Sequence, residues 1–348
     1  MSISTPPHRL RAAIAAAIAF ALGVTLAGCS FSKQEEPSSS ASAKQTTGPI
    51  TVVASLNQWG SLAARIGGND AKVTSILSST TSDAHDFEPT AQDVKTLHAA
   101  DVVIVNGAGY DTWASKNLPS SVTLVSAADI VGAMDGDNPH LWFSRDARYA
   151  MADAIKDTFT QLRAKESKTF STNLENWKKD EDALEQRIEA FGKGHDDLTY
   201  AATESVAYYL MNDMGFEDKT PSGYARAMAS DSEPSAADIK DFQKLLDDGG
   251  AKLLVNNPQE ENETTQGFVD IARKGKTPVL DVTEQMPGEY KDLTSWIEAL
   301  FDTVEQDMGT CPASSKDCPT GNATDEAGDA ANGGNTEQDR AIDEGDDD

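Results

Sequence analysis

Asp101-Val102-Val103-Ile104-Val105-Asn106 is apolar at four consecutive positions between a carboxylate and an amide. A half-buried strand alternates apolar and polar residues. A strand apolar on both faces belongs to a parallel sheet covered on both sides. Similar segments surround it. Ile50-Thr51-Val52-Val53-Ala54-Ser55, Ala71 to Leu77 and Val122 to Val125 read as strands. Gln58 to Ile66 and Thr90 to Ala99 read as the helices between them. Gly67-Gly68 ends the first helix. Thr90 with Asp93 three residues on is a capping box that starts the second.

Downstream the pattern changes. Arg145 to Glu189 is helical throughout, in two pieces. The second, Ser167 to Phe191, carries Phe170, Leu174, Trp177, Leu184 and Ile188 at helical spacing, with charges on the other face and no internal Gly or Pro before its end. After Gly192-Lys193-Gly194 the alternation resumes. Leu198 to Ala202, Lys252 to Asn256 and Thr277 to Val282 read as strands. Ser205 to Met214, Ser235 to Asp248, Thr264 to Arg273 and Leu293 to Met308 read as helices. The chain is therefore expected to be α/β, with two Rossmann-like parallel-sheet lobes joined by one long backbone helix and no other crossing between them. The expected boundaries are 49–145 for the N-terminal lobe, 146–192 for the helical connection and 193–308 for the C-terminal lobe.

Both ends lie outside these lobes. His8, Arg9 and Arg11 precede an apolar, Ala-rich run to Leu26, which reads as a secretory signal over 1–28. It ends Leu26-Ala27-Gly28-Cys29, which resembles a bacterial lipobox and implies cleavage before Cys29 and lipid on its sulfur. Residues 29–48 are polar and read as a flexible tether. From Gly309 the tail holds 11 acids and 2 bases and is expected to be disordered. It contains Cys311 and Cys318, spaced for a small disulfide loop outside the cytoplasm. The whole chain has 57 acids against 29 bases, a formal net charge of −28. Such a surface is unsuited to nucleic acid or an anionic membrane.

Open parallel sheets bind ligands beyond the carboxyl ends of their strands. Four metal-capable residues fall there. His85 lies in Ser82-Asp83-Ala84-His85-Asp86-Phe87-Glu88-Pro89, after the Ala71–Leu77 strand, with Pro89 biasing Glu88 away from helix. His140 lies in Asp137-Asn138-Pro139-His140-Leu141-Trp142, after the fourth strand and a loop. Glu204 follows the Leu198–Ala202 strand. Glu284 follows the Thr277–Val282 strand, with Asp281 as its competitor at the same strand end. Two imidazoles and two carboxylates make a four-residue shell for a divalent ion.

His85-Asp86-Phe87-Glu88-Pro89-Thr90 and Asn138-Pro139-His140-Leu141-Trp142 resemble the two metal segments of the zinc- and manganese-specific solute-binding proteins of ABC transporters. Ser232 to Ile239 and Val282-Thr283-Glu284 resemble the same family, and the resemblance spans about Ile50 to Met308. It implies one metal ion in the cleft between two lobes, held by His85, His140, Glu204 and Glu284. The family's fourth ligand is usually Asp, where this chain has Glu284. The His-rich loop of many zinc-specific members has no counterpart in Val131 to Asn138. The resemblance implies a monomeric, lipid-anchored receptor on the extracytoplasmic face of the cell membrane. It would capture Zn²⁺, or Mn²⁺ as the alternative, for a permease and its ATPase. A surface adhesin that binds metal is the second reading, and a metal-dependent hydrolase the third. The hydrolase is disfavoured because four protein ligands leave little room for a reacting water and neither His-Glu-x-x-His nor Gly-x-Ser-x-Gly occurs.

Overall fold

The computed structural model describes residues 47–81, 87–230 and 232–309. The signal segment, Cys29, His85, Cys311, Cys318 and the tail from Thr310 lie outside the described residues.

The first lobe contains β1 (Ile50–Leu56), α1 (Asn57–Gly67), β2 (Ala71–Leu77), α2 (Ala91–His98), β3 (Val102–Val105), α3 (Thr112–Ser115), β4 (Thr123–Ser126) and α4 (Ala127–Val131). Its four strands are parallel in the order β2-β1-β3-β4, with Val52 opposite both Val73 and Val102. Successive strand residues face opposite sides. Val102 and Ile104 accordingly join one apolar cluster, while Val103 and Val105 join another with Leu97 and Ala114 from α2 and α3. Both faces are covered, as the Val102–Val105 run requires. The capping box of Thr90 and Asp93 is formed, each side chain bonding the other's backbone N–H.

Two long helices follow, α5 (Arg145–Leu162) and α6 (Ser167–Gly194). The 28 residues of α6 extend about 42 Å at 1.5 Å per residue. The helix buries Phe170, Leu174, Trp177, Leu184, Ile188 and Phe191, the stripe its spacing predicts.

The second lobe contains β5 (Thr199–Ala202), α7 (Tyr208–Asp213), β6 (Glu217–Asp218), α8 (Ser222–Met228), α9 (Ala236–Asp247), β7 (Leu253–Asn256), α10 (Glu263–Gly275), β8 (Val279–Asp281) and α11 (Leu293–Asp307). Its sheet is also parallel, in the order β6-β5-β7-β8. Three strands are legible in the sequence; the fourth, β6, is a two-residue edge strand with both residues exposed. The predicted Ser205–Met214 helix is a one-turn 3-10 helix, Ser205–Ala207, followed by α7. Tyr224, Phe242 and Phe268 from α8, α9 and α10 cover one face of this sheet together with Ala201 and Leu254.

The other faces of the two sheets share a single apolar cluster. It includes Val52 and Ile104 from the first lobe, Tyr200 and Val255 from the second, and Trp142, Trp177, Trp296 and Phe301 between them. The chain crosses on the long helical segment, but α11 returns to pack against both α1 and α6. Trp177 Nε1 donates to Thr294 Oγ1 at 3.2 Å, and Arg187 of α6 pairs with Glu298, Asp302 and Glu305 of α11. The lobes are therefore packed on a common core as well as tethered by a rod.

Candidate metal centre

Both sheets direct their carboxyl ends to the same place. In each, the two central strands, β1 with β3 and β5 with β7, run on to neighbours that lie on opposite sides. Such a switch point leaves a crevice between the departing loops. Asn57 and Gln58 follow β1, Tyr110 follows β3, Glu204 follows β5 and Asn257 follows β7. His140 follows β4, but through α4 as well as the predicted loop.

His140, Glu204 and Glu284 converge there. Each offers a ligand atom, and these atoms all lie within 4.8 Å of one another. His140 Nε2 is 3.9 Å from Glu204 Oε1. Ligand atoms on one tetrahedral ion, with bonds of about 2.0–2.2 Å, lie about 3.4 Å apart. The cluster is thus within small side-chain shifts of a coordination shell. His140 and Glu284 are buried, and Glu204 is partly so. Asp281 is not in the cluster. It is exposed at the end of β8 and accepts a hydrogen bond from Asn256 Nδ2 at 2.7 Å.

Outer contacts fix each member. Asn138 Nδ2 donates to the Ser205 carbonyl and to Ser205 Oγ, both at 2.9 Å. A carbonyl only accepts, so the Asn138 amide nitrogen must face Ser205 and its oxygen must face His140. That oxygen accepts from the His140 backbone N–H at 3.0 Å and lies 2.9 Å from Nδ1. Nδ1 therefore carries a proton, which leaves Nε2, the nitrogen facing Glu204, as the one available to a metal. Metal-binding imidazoles are oriented in this way by an acceptor on the far nitrogen. Asn138 also joins the lobes, since Ser205 adjoins Glu204 and Tyr209 Oη donates to the Asn138 carbonyl at 2.9 Å.

Glu284 is held from both lobes. Its backbone N–H donates to Gln259 Oε1 at 2.6 Å, and its carbonyl accepts from Gln58 Nε2. Two residues on, the Met286 backbone pairs with the Asn57 amide, at 2.6 and 3.1 Å. The Glu284 carboxylate accepts from the Tyr110 hydroxyl at Oε2. Tyr110 projects from a turn in which Gly107, Ala108 and Gly109 have φ of +81°, +53° and +84°. Glycine is at ease there; Ala108 is not. The turn is held by buried Asp111, which accepts from the backbone N–H of Asn106 at 2.7 Å and of Gly107 at 2.8 Å. Burial raises the Asp111 carboxyl above the usual range, against the pull of those donors.

One further side chain supports the site from beneath. Arg148 of α5 is buried and donates through one guanidinium nitrogen to the Phe143 carbonyl at 2.9 Å and the Trp142 carbonyl at 3.4 Å. These carbonyls belong to Leu141–Phe143, the single 3-10 turn that begins at His140. The guanidinium also meets Glu181 at 2.5 Å and Glu185, both on α6. Glu181 Oε2 accepts from Thr294 Oγ1 of α11 at 2.7 Å.

The profile of the family described as zinc-uptake complex component A, periplasmic (ZnuA) matches residues 52–307. The chain belongs to this family. Manganese-binding lipoprotein MntA of Bacillus subtilis is 23% identical over 282 residues, covering 77% of this chain and 88% of that protein. Zinc-binding protein AdcA of Streptococcus pyogenes is 23% identical over 250 residues, but the chain spans only 47% of that protein's length. Among solved structures, laminin binding protein Lmb of Streptococcus agalactiae matches with a TM-score of 0.63 at 20% identity, covering 75% of this chain and 99% of that one. It is described as bifunctional, with adhesin and metal transporting activity. The periplasmic zinc binding protein TroA of Treponema pallidum matches with a TM-score of 0.63 at 15% identity, covering 76% and 99%. These neighbours share the two-lobed fold.

The sequence reading placed His85, His140, Glu204 and Glu284 together, with Asp281 as the competitor of Glu284; the structure brings His140, Glu204 and Glu284 together, and His85 lies outside the described residues. The sequence reading gave no role to Tyr110, Asn138, Asn257 or Gln58. Asn138 stands inside a quoted motif, and Tyr110 follows an apolar strand by a Gly-rich turn. Those were the available signals.

Proposed function

We propose that His85, His140, Glu204 and Glu284 hold one divalent ion between the lobes. The chain is a metal-binding, solute-binding protein of the ZnuA family. In this reading it is a monomeric receptor for Zn²⁺, with Mn²⁺ the alternative, and passes the ion to a permease powered by an ATPase. The observation that carries it is the convergence of three ligand atoms within 4.8 Å from the carboxyl edges of two sheets. His85 is the fourth member by its place in sequence alone, eight residues after the end of β2. Two carboxylates offset the charge of the ion, and four protein donors complete a shell with no position set aside for a reacting water. The role is carriage. Because the lobes share one core, release is expected through the ligand loops, with only a modest shift of the lobes.

The test is metal analysis of protein purified without added metal, then titration with Zn²⁺ and Mn²⁺. Binding to the folded state alone stabilises it by RT ln(1 + [L]/Kd), about 4 kcal/mol at a thousandfold excess over Kd. A clear rise in the unfolding midpoint is expected with Zn²⁺. No bound metal and no rise with either ion would overturn the reading.

The receptor is further proposed to be anchored by lipid on Cys29. Among the described residues, no helix is long and apolar enough to cross a membrane. Cys29→Ala should move the protein from washed membranes to the soluble fraction. Retention on the membranes would sink the anchor.

A further inference from the structure

Each carboxylate of the cluster has at least one oxygen engaged by a neutral donor. Glu284 Oε2 accepts from the Tyr110 hydroxyl. Glu204 Oε2 accepts from Asn257 Nδ2 at 2.6 Å, while its Oε1 is the oxygen 3.9 Å from His140 Nε2. The same Asn257 nitrogen reaches Glu284 Oε1 only at 3.4 Å.

Both donors are themselves fixed. Asn257 Oδ1 accepts from the Gln259 backbone N–H at 3.0 Å, so the amide cannot flip without losing that bond. The Asn257 backbone N–H donates to Thr203 Oγ1 at 3.0 Å. The Tyr110 ring lies edge-on to buried Trp142, with ring centroids 5.4 Å apart.

A carboxylate binds a metal through one oxygen or through both. Zn²⁺ is content with four ligands in a tetrahedron, whereas Mn²⁺ favours six, rich in oxygen. With the two imidazoles and two carboxylates assigned above, a six-coordinate shell of protein atoms needs both carboxylates to chelate. A donor held on the second oxygen opposes that, because chelation would turn the carboxylate away from it.

We propose that Tyr110 and Asn257 determine specificity, holding Glu284 and Glu204 as one-oxygen ligands and so favouring four-coordinate Zn²⁺ over six-coordinate Mn²⁺. They act through the ligands and are positioning residues. The inference rests on the ligand assignment given above.

The experiment uses the full chain and two variants. Tyr110→Phe removes only the hydroxyl. Asn257→Ser keeps an acceptor for the Gln259 N–H but is too short to reach Glu204. Zn²⁺ and Mn²⁺ affinities are measured by competition, and Co²⁺ is used as a spectroscopic probe. Its d–d absorption is intense in a tetrahedral shell and weak in an octahedral one. The wild type should give the intense spectrum. Each variant should weaken it and lower Zn²⁺ affinity by about ten- to a hundredfold, the range for loss of an outer-shell partner, with a smaller loss for Mn²⁺ so that the Zn²⁺/Mn²⁺ ratio narrows. An equal loss for both ions would mark a merely structural role and overturn the inference. So would an unchanged ratio and spectrum in both variants, or a weak octahedral spectrum in a wild type that binds both ions. Failure of the wild type to bind either ion would instead overturn the ligand assignment.

Discussion

Arg148→Met should destabilise the protein by about 3–5 kcal/mol, the usual cost of removing one partner from a buried ion pair. The guanidinium is 1% exposed, and Glu181 and Glu185 beside it are 0% and 5% exposed. Methionine fills much of the volume but cannot answer two buried carboxylates or the carbonyls of Trp142 and Phe143. Denaturant unfolding of the metal-free protein is the measurement. A loss below about 1 kcal/mol, the ordinary worth of a surface pair, would show that the cluster is not held as described. The comparator is Glu185→Gln, which keeps an acceptor for Arg148. Burial raises the Glu185 carboxyl, with Arg148 pulling it back and Glu181 and Asp213 pushing it up. The folded state therefore binds that proton more tightly than the unfolded chain. Its contribution is most favourable at and below the ordinary carboxylate range and is lost as pH rises through the raised value. Glu185→Gln should flatten that decline while costing little at neutral pH. Arg148→Met should also loosen the turn at His140, because Arg148 links the Trp142 and Phe143 carbonyls to Glu181 and Glu185 of α6.

The lobes were legible because their signals are local. Four apolar residues at Val102–Val105 require two covered faces, and the capping boxes at Thr90 and Ser235 mark helix starts within three residues. β6 was not legible, because Glu217 and Asp218 carry no strand pattern of their own and pair only through the register set by Thr199 and Tyr200. The site was legible to the level of strand ends. Beyond that, the deciding contacts are distant in sequence. Glu284 rather than Asp281 enters the cluster because Gln58 and Asn57, more than two hundred residues earlier, hold the backbone of 284–286. No periodicity near Asp281 carries that information. Tyr110, Asn138 and Asn257 were missed for another reason. They are neutral, and their roles come from what they orient rather than from charge or ligating power.

His140→Ala and Glu284→Gln should each lower Zn²⁺ affinity by more than about a hundredfold, beyond the ten- to hundredfold range for outer-shell partners. Glutamine keeps an acceptor for the Tyr110 hydroxyl, so the Glu284 change tests the charge and not the packing. His85→Ala should behave like His140→Ala. Asn138→Ala should fall within the outer-shell range, since it frees the His140 ring without removing a donor to the metal. Asp281→Ala should leave binding nearly unchanged, because Asp281 is exposed and engaged with Asn256 outside the cluster. Calorimetry on the metal-free proteins, each checked for an unaltered fold, separates these outcomes. Retained binding in Glu284→Gln with loss in Asp281→Ala would move the fourth ligand three residues back and leave the buried carboxylate beside Tyr110 unexplained. Unchanged binding in His140→Ala would remove the imidazole that Asn138 orients, and with it the assignment of the site.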